Sequence, residues 1–258
     1  MTTRPPPHRS VWAGAVMAGL LALAWTGATP AQAQDPALSA AEEAAVRALV
    51  RDTLLANPEI IAEALEVYQE REAAAQAERS RAAIQQHRAA LEAADAADVI
   101  GNPDGDVTVV EFSDYQCGYC KRVFPALMQA VEADGNVRLV IRELPILGPE
   151  SVLAARAAEA SRAQGRYPEF HTALMAMKGG VSEAAIMQVA AEVGLDVERL
   201  RADMADPALD QRFAENIQLA RALGISGTPA FVIGDALVPG AVSQEELNDL
   251  IAAARAEG

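Results

Sequence analysis

The rhythm of apolar positions along the chain changes near residue 100. From Ala37 to Ala97 the sequence is rich in Ala, Glu and Arg, holds no glycine and reads as helix. Val46, Leu49, Val50 and Leu54 recur at helical spacing and make one apolar face. Asn57-Pro58-Glu59 is expected to restart the helix, with Asn as N-cap, Pro at the first position and Glu favourable to the dipole. The second helix opens on Ile60, Ile61, Leu65 and Tyr68 and is expected to run to about Ala97. Between Glu70 and Ala83 it carries alanines and charges but no large apolar side chain. Such a helix pair cannot bury its own apolar faces. Either it docks on the rest of the chain or copies associate, and self-association is the favoured expectation. A strict heptad fails, because Glu72 and Arg79 fall on the seam that Ile61, Leu65 and Tyr68 would start.

Beyond residue 100 the pattern alternates. Gly101-Asn102-Pro103-Asp104-Gly105 reads as a turn, Val107 to Phe112 as a strand, and the stretch to about Ala133 as a helix. Asp134-Gly135-Asn136 turns the chain into a second strand, Val137 to Ile141. Helices fill about Ser151 to Ala222, broken at Gly165, Gly179-Gly180, Gly194 and Pro207. A short strand, Ala230 to Ile233, precedes a closing helix, Gln244 to Ala256, behind a Ser243 N-cap. Strand, helix, strand, helical block, strand, helix is an α/β order.

The N-terminus adds an export signal. Arg4, His8 and Arg9 precede an apolar run from Val11 to Thr26 and the small-residue site Ala31-Gln32-Ala33. Cleavage is expected after Ala33, leaving Gln34 first; an uncleaved anchor is the alternative. With no twin-arginine pair, general secretion is the expected route. Formal charge is −15, so neither nucleic acid nor an anionic lipid surface is an expected partner. Only two cysteines are present, Cys117 and Cys120, too few and too close for a disulfide-stapled scaffold.

That pair carries the chemistry. It sits where a strand gives way to a helix, whose first N–H groups and dipole stabilise an anion. Cys117 is therefore the expected nucleophile towards a disulfide, and Cys120, one turn on, has the reach to resolve the mixed disulfide. Gly118 and Tyr119 set the loop between them. A zinc ribbon needs a second closely spaced ligand pair, and none exists, because His87 and His171 are lone and unspaced. A structural disulfide and a copper(I) site on the two thiolates stay open as alternatives. Lys121 and Arg122 are weaker candidates for supporting the thiolate; His171 and the Met175, Met177 and Met187 group read as structural.

Strand, Cys-Gly-Tyr-Cys, helix, and far downstream Gly227-Thr228-Pro229 entering a strand, together resemble the thioredoxin superfamily. The helical block between the halves is similar to the DsbA-like branch, and Leu49 to Asp52 with Asn57 to Ile61 resembles the N-terminal segment of ScsC-type, oligomerising members. The resemblance implies an α/β thioredoxin fold with an inserted helical subdomain, preceded by a helical N-terminal arm. It divides the chain into a signal peptide (1–33), an oligomerisation arm (34–97) and a DsbA-like domain (98–258) with its insertion at about 145–222. It implies a cis bond at Thr228-Pro229, beside the pair and facing bound client chain. Glu111 matches the buried acidic residue beneath the pair, a proton relay for Cys120, unless it faces solvent. Pro125 matches the proline that kinks the active-site helix.

The implied function is disulfide exchange in exported, cysteine-containing proteins of the periplasm, isomerase or reductase ahead of pure oxidase, without cofactor or metal. A DsbA-like dithiol oxidase and a copper(I)-handling thiol protein are the alternatives. The implied partners are a membrane redox protein that recycles the pair and further copies of the chain, a trimer first. A chain starting near Asp98 is expected to be a redox-active monomer.

Overall fold

A computed structural model describes residues 38–257. The export segment, Ala31-Gln32-Ala33 and Gln34 lie outside the described residues. The chain divides into two units, one ending at Ile60 and the other running from Ile61.

The first unit is built on α1 (Ala40–Ala56). Ser39 opens it with a reciprocal box: its hydroxyl accepts from the Glu42 N–H, and the Glu42 carboxylate accepts from the Ser39 N–H at 2.8 Å. No α1 residue is buried, and Leu49 and Leu55 are 67% and 68% exposed. Asn57 departs from expectation. Its side-chain Nδ2 donates to the Thr53 carbonyl at 2.9 Å, so it closes α1 instead of capping the next helix.

The second unit begins within α2 (Glu59–Glu92), which stops short of the expected Ala97. A short 3₁₀ turn follows at Ala96–Asp98. The early turns of α2 expose Ile61, Leu65, Val67 and Tyr68, whereas Ser80, Ile84 and Leu91 are buried.

The sheet has five strands: β1 (Ile100–Gly101), β2 (Val107–Ser113), β3 (Val137–Glu143), β4 (Ala230–Ile233) and β5 (Ala236–Pro239). Their order is β1-β3-β2-β4-β5, with β2 parallel to β3 and the other pairs antiparallel. The two outer strands were not expected. Gly101 reaches β1 with φ +84, and a Cβ there would lie 2.7 Å from the Val137 carbonyl oxygen, so only glycine fits.

Side chains alternate across the central strands and make two cores. Val107, Val109, Leu139, Ile141, Phe231 and Ile233 pack in one, with α3 (Gly118–Asp134) and α9 (Gln244–Glu257). The inserted helices α4 (Pro149–Ser161), α5 (Tyr167–Ala176), α6 (Glu183–Glu192) and α7 (Val197–Asp203) extend this core. Val110, Phe112, Val140, Ala230 and Val232 form the other core, with Ile84 and Leu91 of α2 and Leu219 of α8 (Ala208–Ala222). The central strand β2 is thus covered on both sides, which is why it reads as an almost unbroken apolar run.

This second core changes where the arm can be cut. A chain starting at Asp98 would lose Ile84 and Leu91, both essentially unexposed, so a shortened protein must begin before them. Two arginines of β3 fix the end of α2. Arg142 donates to the carbonyls of Ala90, Leu91 and Ala93 at 2.6–3.1 Å, and Arg138 donates to Glu92 and Ala94. These are carbonyls that a helix end leaves without intrahelical partners. Arg142→Ala is expected to cost about 2 kcal/mol, as charge-assisted bonds to partly buried carbonyls do. An unchanged denaturation midpoint would show that solvent replaces them freely.

Candidate active site

The loop from β2 into α3 is held by one carboxylate. Asp114 Oδ1 accepts from the Gln116 N–H at 2.8 Å and the Ser151 hydroxyl at 2.7 Å. Its Oδ2 accepts from the N–H groups of Ile146 and Leu147 at 2.9 and 3.1 Å. The segment ahead of Cys117 is thereby tied to the loop after β3. Sequence reasoning passed Asp114 over, although an Asp two residues before a turn N–H is an Asx-turn signal.

Cys117 is the N-cap of α3. Its sulfur accepts from the Cys120 N–H at 3.3 Å, and its thiol donates to the Thr228 carbonyl at 3.2 Å. The Thr228-Pro229 bond is cis, so the cysteine pair and the proline loop, far apart in sequence, meet in one place. Cys117 keeps 5% exposure and Cys120 none. The asymmetry has the expected sense, but Cys117 is far more covered than a freely exposed nucleophile. Gly118 has open space around its Cα, and Tyr119 is exposed with the Arg122 guanidinium over its ring. The Lys121 Nζ donates to the Met177 carbonyl at 3.2 Å.

Glu111 is fully buried and does not face solvent. No hydrogen-bond partner reaches its carboxyl oxygens, and burial pushes the group up to about 8. The Cys120 thiol is pushed up further still, by burial first and then by the Glu111 charge. A carboxyl and a thiol that each disfavour ionisation therefore lie close enough for the Glu111 charge to act on Cys120. Such an arrangement can hold or pass a single proton.

Behind the loop lies a polar cluster that the sequence did not reveal. The Tyr115 and Tyr167 hydroxyls donate to Glu143 Oε1 at 2.7 and 2.8 Å, and Tyr115 Oη lies 2.7 Å from His171 Nδ1. Burial raises Glu143 to about 8 and lowers His171 to about 3, which keeps the imidazole neutral. His171 thus sits in the interior of the inserted helices, as do Met175 and Met187. Among the described residues, no group of three or more His, Cys, Asp or Glu side chains is placed to hold a metal.

A dithiol at the start of a helix, set against a cis-proline loop on a mixed central sheet, defines a thioredoxin-fold protein with a paired-cysteine site. The particular family follows from comparison. Residues 108–252 match the DSBA-like thioredoxin domain, and the chain belongs to that family. Residues 42–75 match the copper resistance protein ScsC N-terminal domain. A thioredoxin-like oxidoreductase from Silicibacter pomeroyi is 51% identical, with a TM-score of 0.63, over 66% of this chain and 98% of that one. Proteus mirabilis ScsC in a transitional conformation is 34% identical, with a TM-score of 0.62, over 86% of this chain and 100% of that one. A curated relative, the Na(+)/H(+) antiporter NhaA 1 of Salinispora arenicola, is 34% identical over 158 residues, 60% of this chain and 24% of that protein. The chain therefore spans about a quarter of the length of the curated relatives it matches first.

Proposed function

We propose that the protein is a thiol–disulfide oxidoreductase of the DsbA/ScsC type, acting on exported cysteine-containing proteins, with isomerase or reductase character ahead of pure oxidase. The observation that carries this reading is the Cys117 thiol between the Cys120 N–H and the Thr228 carbonyl. As a thiolate, Cys117 attacks one sulfur of a client disulfide, and the client's other sulfur leaves and takes up a proton. Cys120 then gives its proton to Glu111 and attacks the Cys117 sulfur. That step releases the client reduced by two electrons and leaves the pair oxidised, to be recycled by a membrane redox partner. In isomerisation a second client thiol displaces Cys117 instead. Thr228 and Pro229 hold the client chain, with Gly118 and Tyr119 at the rim. The apolar run ahead of Ala31-Gln32-Ala33 supports export to the periplasm.

Assembly enters through the arm. The α1 face carrying Val46, Leu49 and Val50 is exposed, and so is the opening of α2 at Ile61, Leu65 and Tyr68. Apolar helical faces of this kind favour a partner of the same kind, and a trimer is the reading taken from the family resemblance. Several Cys117 sites around one client would raise the local thiol concentration and favour rearrangement over one-way oxidation. A chain beginning near Gln69 keeps Ile84 and Leu91 and removes these faces. It should be monomeric by light scattering, should still reduce insulin, and should lose most reactivation of scrambled ribonuclease. Equal masses for long and short chains would remove the assembly reading; equal ribonuclease reactivation would put oxidase ahead of isomerase. A copper(I) titration beside the insulin assay separates this function from metal handling.

A further inference from the structure

A cavity of about 760 Å³ lies between α2 and the proline loop, bounded on one side by β5. Its α2 wall is a single helical face: Ala73, Gln76, Ala77, Ser80 and Arg81 lie on one side of the helix. Two alanines on that face leave the space open, where larger side chains would fill it. The rest of the lining includes Thr228, Pro229, and Leu237 of β5. The wall is anchored further along α2, where Ile84 is buried and Gln85 Nε2 donates to Asp235 Oδ2 at 2.8 Å. Arg88 pairs with the same aspartate.

Three features say what fits there. The cavity adjoins the cysteine pair through one residue: Thr228, which lines it, takes the Cys117 thiol on its carbonyl. A polypeptide joined to Cys117 by a disulfide therefore lies within reach of it. The Thr228 hydroxyl oxygen is buried without a hydrogen-bond partner, and β5 is the last strand on this side of the sheet. An extended backbone can partner both, and pairing along a strand edge is what a compact small molecule cannot do. The lining is mainly apolar, and its volume falls within the usual range for a binding cleft, roughly 300–1,000 Å³.

We propose that α2 is the far wall of the client groove, selecting an extended client segment with apolar side chains next to its cysteine. The arm then takes part in recognition as well as in assembly. The proposal rests on the thiol–disulfide reading above and assigns α2 a contact with the client.

The test uses the full chain in its reduced state. Ala77→Trp fills the groove from an exposed helix position, and Ala82→Trp places the same bulk on the opposite, exposed face. Each is mixed with hydroxyethyl disulfide and with two cystine-bridged peptides, one with valine and leucine beside its cysteines, the other with lysine and glutamate. Wild type and Ala82→Trp should prefer the apolar peptide by about tenfold, and Ala77→Trp should lose that preference through KM. All three should reduce hydroxyethyl disulfide at the same rate, which also shows that each is folded. If the two tryptophan variants behave alike on the peptides, or wild type shows no preference, the groove is overturned while the redox reading stands. If wild type reduces none of these disulfides, the oxidoreductase reading falls and the groove with it.

Discussion

Cys117→Ala is expected to abolish insulin reduction down to the uncatalysed rate, whereas Cys120→Ala should convert the protein into a trap that accumulates mixed disulfides with clients. The two outcomes differ because the sulfurs differ in surroundings. Cys117 caps α3, takes an N–H from Cys120, and is the one with any exposed surface. Cys120 has none, and burial together with the Glu111 charge keeps it a thiol. Only the first can meet a client disulfide; only the second is placed to displace it. Alkylation at pH 7 followed by mass spectrometry reads the same asymmetry, with Cys117 labelled well before Cys120. Cys117 is itself largely covered, so its labelling should be faster with a small reagent than with a bulky one. Equal labelling of both sulfurs, or a Cys117→Ala chain that still traps clients, would defeat the assignment.

Much of this site was legible because its members announce themselves locally. Two cysteines a turn apart behind a β-rich run, and a Gly-Thr-Pro entering a short strand, are contiguous signals. Glu111 was legible through the family resemblance, by its place on the strand before the cysteine pair. What stayed hidden acts at long range or against composition. Asp114 takes its partners from Ile146, Leu147 and Ser151, and nothing near it in sequence names them. The Tyr115–Glu143–His171 cluster joins a loop, a strand end and an inserted helix, and each residue alone looks ordinary. Strands β1 and β5 are short edge strands: Gly101 read as part of a turn, and four residues ending in a proline give too short a run to signal a strand. Ile84 and Leu91 were missed for another reason. They stand alone in an alanine- and charge-rich helix, seven residues apart, so no window shows a continuous stripe. The sheet supplies the apolar surface that makes two such residues enough to anchor half of α2.

Glu111→Gln is expected to raise stability at alkaline pH and to slow only the second half of the disulfide exchange. In the folded chain burial lifts Glu111 from its ordinary 4.5 to about 8. Folding therefore takes up a proton between those values, and stability falls as pH rises through the window. The amide keeps the shape without the titration, so the variant should gain about 3–4 kcal/mol over wild type between pH 5 and pH 8. Glu143 is raised in the same direction and adds its own fall, while His171, lowered to about 3, adds a rise up to its ordinary 6.5; the slope that persists in the variant is their sum. On the exchange rate two effects oppose. Removing the carboxylate spares the Cys120 thiolate a nearby like charge, which would speed resolution. It also removes the buried acceptor for the Cys120 proton, which would slow it. Near pH 7 a group titrating about 8 is about nine-tenths protonated, so the repulsion is weak while the small ionised fraction suffices for proton transfer. Loss of the acceptor should win, slowing release of a preformed Cys117 mixed disulfide by about tenfold or more. Wild-type release should climb with pH up to about 8 and then level, while the variant loses that climb. Alkylation of Cys117 should be the same in both. A variant that resolves mixed disulfides as fast as wild type at pH 7, with the same pH profile, would leave Glu111 a buried charge with a stability cost and no part in the proton transfer.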